Sequence, residues 1–192
     1  TFGFAVQSAI NNQVNAAIIS GDSTDHTLDG HAPSLKALAD QIKKLGDHCP
    51  VLMLQGTFSH EPLGVLDMLG MIGTKYPICI ASKIGAYGLT QNGWESFNAG
   101  VDYLLVATAF PTVNKAELAA TVGDKAGQMM GDLLYNLMTE FAPMNEALRR
   151  KGVPSILVGH GTVQDCLTEH GVPMSGTDHE FGVGALFSAR TD

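Results

Sequence analysis

Ala16-Ala17-Ile18-Ile19-Ser20-Gly21-Asp22-Ser23-Thr24-Asp25-His26 is the stretch on which the fold turns. A short apolar run without alternation reads as a parallel strand buried on both faces. It ends in a glycine followed by two carboxylates and an imidazole. Two further stretches repeat the design. Pro50-Val51-Leu52-Met53-Leu54-Gln55-Gly56 runs into Thr57-Phe58-Ser59-His60-Glu61, and Pro154-Ser155-Ile156-Leu157-Val158-Gly159 runs into His160-Gly161. Three apolar strands thus deliver metal-ligand side chains at the same end. In α/β sheets ligands bind beyond the carboxyl ends of the strands, so these turns are a candidate active site.

A chain of 192 residues, 45% of them hydrophobic, is expected to be one domain spanning 1–192 with a real core. No apolar run approaches the roughly 20 residues of a membrane span. Thr1 to Ile10 lack the marks of a signal peptide, which makes the cytoplasm the expected compartment. Cys49, Cys79 and Cys166 are odd in number and widely spaced, arguing for buried thiols and against a disulfide framework or a thiolate zinc site. With a net charge of -8 and only 11 Lys and Arg, charge gives no argument for nucleic-acid binding. It does not exclude a phosphodiester substrate, because divalent cations among the carboxylates would invert the local field. The chain opens on Thr1 rather than Met and stops at Thr191-Asp192, which suggests the interior of a longer protein.

Along the chain, Phe4, Val6, Ala9, Ile10 and Val14 mark one face of a first helix. Pro33-Ser34 opens a second, with Leu35, Leu38, Ile42 and Leu45 inward and Lys36, Asp40, Lys43 and Lys44 outward. With the strands on either side it makes a β-α-β unit whose strands should be parallel. Residues 62–72 read as a short helix carrying Leu63, Leu66, Met68 and Leu69, and 76–81 as a strand. Residues 83–100 read as a hairpin or loop, and 102–109 as a strand. Residues 115–151 read as helix, broken or kinked into at least two pieces by Gly123, Gly127, Gly131 and Pro143. Residues 153–158 return to the sheet. The last stretch, 161–192, reads as a long loop followed by a strand, anchored by Phe181, Val183, Leu186 and Phe187.

Each candidate residue also has an ordinary role. Asp22 in a Gly-Asp pair serves turns and N-caps well. His60 and His160 could be loop histidines held by hydrogen bonds. Asp25, His26 and His31 could be solvated, and Asp178-His179-Glu180 an acidic loop. His48 and His170 read as surface residues, and the methionines at 129, 130, 138 and 144 as core filler. Together, an Asp and two His at three strand ends can converge on a pair of cations. Carboxylate and imidazole suit Mn²⁺, Fe²⁺ or Zn²⁺, and an Asp bridging two metals about 3.5 to 4 Å apart activates water for in-line attack on phosphorus.

Gly21-Asp22, His60-Glu61 and His160-Gly161, each after an apolar strand, resemble successive blocks of the calcineurin-like metallophosphoesterases, most closely the SbcD-type DNA repair exonuclease subunits. The resemblance implies an α-β-β-α sandwich, here a truncated form with its terminal strands missing. It implies that Asp22 bridges two metals, that His60 is the catalytic histidine and that His160 is a metal ligand. The family's second block also carries a metal-binding Asn. Here it is absent, and Ser59 or Thr57 is a weak substitute. Asp25, His26 and Glu61 would support these ligands from behind. Phe110-Pro111-Thr112-Val113-Asn114-Lys115 is similar to a Leu-Pro-Tyr-Pro-like segment of the SbcD-type proteins. The family's first block, Asp-x-His, and its last, Gly-His-x-His, are not in the chain. They are expected before Thr1 and beyond Asp192. The function implied is exonuclease-type phosphodiester hydrolysis with two Mn²⁺ ions, or Fe²⁺ or Zn²⁺, on DNA, beside an SbcC-type ATPase and as a homodimer, with no membrane role. The alternatives are a phosphoesterase for small molecules on the same scaffold and a catalytically degenerate interaction module.

Overall fold

The computed structural model describes residues 2–24, 26, 32–62, 64–112, 126–174 and 180–192, with side chains from 130 onward in the long helix. The fold is α/β. In chain order its elements are α1 (Phe2–Asn11), β1 (Ala17–Ile19), α2 (Pro33–His48), β2 (Val51–Leu54), α3 (Val65–Gly70), β3 (Cys79–Ala81), β4 (Gly85–Thr90) and β5 (Gly93–Ser96). There follow β6 (Leu105–Phe110), α4 (Ala126–Arg150), β7 (Ser155–Gly159), β8 (Thr162–Val163), β9 (Glu180–Phe181) and α5 (Val183–Ser188).

Strand β2 has no exposed residue. Its side chains alternate between two cores, as the period of a strand requires. Val51 and Met53 pack with Leu35, Leu38, Ile42 and Leu45 of α2 and with Val6, Leu66 and Leu69. Leu52 and Leu54 pack with Leu89, Trp94, Ala107, Ala109 and Val158. The first core therefore joins helices to a parallel sheet of order β1-β2-β3, and the second joins that sheet to another of order β5-β4-β6-β7. On the far side of the second sheet, Phe110 meets Met130, Leu134 and Met138 of α4 with Ala185 and Ala189, and Val106 meets Leu148. Burying each large aliphatic side chain contributes about 1.5–3 kcal/mol, so the packing of these layers supplies much of the stability. Strands β6 and β7 are parallel neighbours, which need a long crossover, and α4 lies within it. Asp192 closes the start of β7. Its amide donates to the Ser155 carbonyl at 3.0 Å, and its carboxylate accepts from the Ser155 amide at 2.8 Å and from Arg149 Nε at 2.7 Å.

Several expectations need correction. The three strands expected to end in metal ligands do not share a sheet: β1 and β2 are neighbours in one, and β7 is an edge of the other. Strand β1 is half-buried, not buried on both faces, because it too is an edge strand. On α1, Val6 is buried while Phe4 is exposed. Residues 85–96 form a hairpin. Helix α4 runs unbroken through Gly131 and Pro143. Its apolar side, Met130, Leu134, Met138 and Leu148, is buried along the second sheet, and that burial outweighs the cost of an interior proline. Gly123 lies outside the described residues, as do Leu63, the 113–115 part of the Phe110-to-Lys115 segment, Asp25, His31, Asp178 and His179; nothing is described of the Met129 side chain. In the last stretch a two-residue strand, β9, carries the anchor Phe181, and the short helix α5, absent from the expectation, follows it with Ala185 and Ala189 tucked against α4 at a spacing of four. Val183 and Phe187 stay exposed, as does Met68 on α3. His48 is half-buried, whereas His170 is exposed. The three thiols are unpaired, and burial pushes the Cys79 thiol up to about 11, well away from a thiolate ligand. Among the described residues no helix is long and apolar enough to cross a membrane.

Pro143 is exposed inside α4. Pro143→Ala restores a backbone donor there, while the unfolded chain gains freedom that offsets part of the benefit. The expected net stabilisation is about 1–2 kcal/mol. In a thermal melt the midpoint rises by about 2–8 °C.

Candidate functional site

The ends of β1 and β2 lie side by side because the strands are parallel and in register, Ile19 opposite Met53. The end of β7 is brought up from the second sheet: the His160 amide donates to the Phe110 carbonyl at 3.0 Å, and the Thr112 amide donates to the Gln55 carbonyl at 3.1 Å. This stitches the two sheets together at their carboxyl ends. Asp22, His60 and His160 come together there.

Asp22 is the hub. Its Oδ1 accepts from the Thr57 amide at 2.7 Å, and its Oδ2 lies 2.8 Å from His60 Nδ1. The Thr57 hydroxyl is 3.4 Å from the same Oδ2 and 3.2 Å from His160 Nε2. His160 Nε2 stands 3.3 Å from Asp22 Oδ1, while His160 Nδ1 is 2.9 Å from the Ser20 carbonyl. The backbone is bent for this purpose: Gly21 has φ 96° and Asp22, not a glycine, has φ 51°. A left-handed Asp is tolerated better than most residues because its short side chain finds local partners. A Cβ on Gly21 would stand 2.5 Å from His160 Nδ1, and one on Gly56 would stand 2.2 Å from the Asp22 amide nitrogen. Both positions are glycine because the strand ends touch.

The protonation pattern follows from the partners. Burial raises the Asp22 carboxyl, but the Thr57 amide, the His60 hydrogen bond and the charges of His160 and His60 together hold it below its ordinary value. Asp22 is therefore ionised and acceptor-only at neutral pH, so His60 donates from Nδ1. The Ser20 carbonyl can only accept, so His160 also donates from Nδ1. A neutral His160 then turns a bare Nε2 lone pair toward the Asp22 carboxylate. That lone pair can accept from the Thr57 hydroxyl 3.2 Å away, and the contact with the carboxylate is favourable with a proton on Nε2 or with a cation between the two atoms. Ligands bonded to one ion at about 2.1 Å stand about 3.0–3.4 Å apart at octahedral to tetrahedral angles, a range that includes this separation.

Of the remaining candidates, Ser59 is exposed, and the hydroxyl that stands between Asp22 and His160 is that of Thr57. Thr57 to His60 form a tight turn in which the His60 amide donates to the Thr57 carbonyl at 2.9 Å. His26 is exposed. Glu61 is fully buried, its Oε1 accepting from the Ser23 amide at 2.5 Å and its Oε2 from the Gly56 amide at 2.7 Å. Among the described residues no three His, Cys, Asp or Glu groups gather around a single point. Asp22 and His160 make a two-donor edge, and His60 takes the other carboxylate oxygen. No protein-family model matches the sequence, and no curated protein matches it.

Two predictions follow from this geometry. Because the folded-state carboxyl of Asp22 is lowered, its contribution to stability is present above the ordinary value of 3.8 and is lost as pH falls through the lowered value. Wild type should exceed Asp22→Asn in melting temperature at pH 5–7 (about 1–3 units above that ordinary value), with the gap closing toward pH 2. Gly56→Ala pushes the Asp22 loop off β2, at an expected cost of about 1–3 kcal/mol in chemical denaturation.

Proposed function

We infer that the chain carries the phosphate-handling centre of a metal-dependent phosphodiesterase related to the calcineurin-like metallophosphoesterases. The observation that carries this reading is the facing of the His160 imidazole and the Asp22 carboxylate, with Nε2 and Oδ1 3.3 Å apart at the meeting of two sheets. The succession of helices, parallel sheet, second sheet and helices supports it. So does the order along the chain of Asp, His and His, each just past a strand. Asp22 and His160, with the Thr57 hydroxyl beside them, would hold a divalent cation, Mn²⁺ by the resemblance, which when bound supplies a Lewis acid for phosphoryl oxygen and an acidified water.

The chain's own residues have distinct tasks. Asp22 orients His60 through Nδ1, which leaves the opposite ring nitrogen to exchange protons with a substrate oxygen. His60 is partly exposed, its side chain at 38%, so a phosphoryl group can reach it from solvent. As an imidazolium it offsets the negative charge that develops on that group. Ser20 and Thr57 fix the ring of His160 from its two nitrogens.

DNA is the substrate proposed from the resemblance. The net charge of -8 means that the basic surface for a polyanion would come from a partner such as an SbcC-type ATPase. A small phosphodiester would use the same centre without that surface, and a degenerate interaction module would use none of it.

Calorimetric titration with Mn²⁺ of the wild type, Asp22→Asn and His160→Ala, with hydrolysis assays on a small phosphodiester and on DNA ends, separates these readings. The expected result is Mn²⁺ binding that both substitutions abolish, with hydrolysis lost in His60→Ala while binding persists. Hydrolysis of the small ester alone moves the assignment to small-molecule substrates. A folded wild-type protein that neither binds Mn²⁺ nor hydrolyses either substrate leaves the interaction module.

A further inference from the structure

Three of the buried polar side chains, Thr24, Gln55 and Glu61, lie together behind the candidate site, and Glu61 is wholly inaccessible. Burying a carboxylate is costly unless it is fully hydrogen-bonded. Here both oxygens are satisfied, each by a backbone amide from a different strand-end loop: Ser23 after β1 and Gly56 after β2. The amides bracket the site, since Ser23 follows Asp22 directly and Gly56 precedes Thr57. Gln55 Nε2 donates to the Glu61 carbonyl at 2.9 Å, and the Thr24 hydroxyl donates to the His60 carbonyl. The carboxylate thus spans the same two loops that Asp22, Thr57 and His60 span on the solvent side.

We propose that Glu61, braced by Thr24 and Gln55, is a positioning residue that sets the separation of the two loops and thereby the hydrogen bond between Asp22 and His60. It touches neither imidazole and acts only through the backbone it holds. The assignment stands whatever chemistry the site performs, because the hydrogen bond it controls exists without metal or substrate. A carboxylate is required for this role: a glutamine has one acceptor oxygen and an amide NH2 that can only donate, so it cannot serve both backbone amides.

The test reads the imidazoles of the metal-free protein by long-range proton–nitrogen NMR. In wild type at neutral pH, His60 shows the tautomer protonated at Nδ1. Glu61→Gln is expected to lose that signature, with His60 reverting to the tautomer mixture of a free imidazole. Asn145→Ala removes another buried polar group, whose Nδ2 donates to the Ala189 carbonyl at 2.7 Å. It loosens the fold elsewhere and is expected to leave His60 unchanged. A folded Glu61→Gln protein that retains the wild-type His60 signature overturns the proposal, as does an equal change in Asn145→Ala. If Glu61→Gln does not fold, Thr24→Val decides: a His60 change in the same direction supports the device, and an unchanged His60 overturns it. Since Mn²⁺ and phosphodiesters are absent throughout, failure here leaves the phosphodiesterase reading intact, and failure of that reading leaves this one intact.

Discussion

Strand β2 has no solvent face, and the other layers depend on that. Val51 and Met53 can be buried only if helices cover one side, and Leu52 and Leu54 only if a second sheet covers the other. Two cores back to back through one four-residue strand fix where the strand ends. They also fix the path of Gln55 and Gly56 on leaving it. Gln55 then pairs on both sides of its backbone, its amide donating to the Ala81 carbonyl at 3.0 Å and its carbonyl accepting from Thr112. The loop that carries Thr57, His60 and Glu61 therefore starts from a residue hydrogen-bonded to β3 of one sheet and to the segment that follows β6 of the other.

From that point the candidate site is assembled by backbone as much as by side chains. Asp22 and Glu61 cross between the β1 and β2 loops in opposite senses, Asp22 onto the Thr57 amide and Glu61 onto the Ser23 amide. The two carboxylates thus anchor one another's loops. Glu61 could not be replaced by an apolar residue without leaving the buried Gly56 amide unsatisfied, and such a loss is more costly than an ordinary hydrogen bond is stabilising. Polar groups are concentrated where the two sheets meet, and the hydrophobic layers begin one residue earlier along each strand. This arrangement lets a carboxylate and two imidazoles sit close together without destabilising the fold they rest on.

Much of the fold was legible because strong local patterns agree with it. The inward set Leu35, Leu38, Ile42 and Leu45 repeats at helical spacing and is buried on α2. The apolar run 51–54 forms a strand parallel to β1, as a β-α-β unit demands. Where local and tertiary signals conflict, the sequence misleads. Pro143 and Gly131 argue for a break in α4, yet Met130, Leu134, Met138 and Leu148 are all buried along one unbroken helix, and that tertiary burial outweighs the local signal. The final segment has glycines and aromatics that suit a strand. Its pairing of Ala185 with Ala189 matters only because α4 is there to receive those two small residues.

The sequence by itself determined which groups stand at the strand ends, since a buried run must terminate somewhere and Gly21, Gly56 and Gly159 mark those points. Asp22, His60 and His160 were readable for that reason. Only the tertiary structure decided that their strands belong to two sheets, that the Thr57 hydroxyl stands beside Asp22 and His160, and that Glu61 lies behind the site. Those outcomes depend on how two loops approach each other across distances of about 3 Å, set by packing between residues far apart in the chain. Local propensity carries no record of such distances, because it reports on each segment alone.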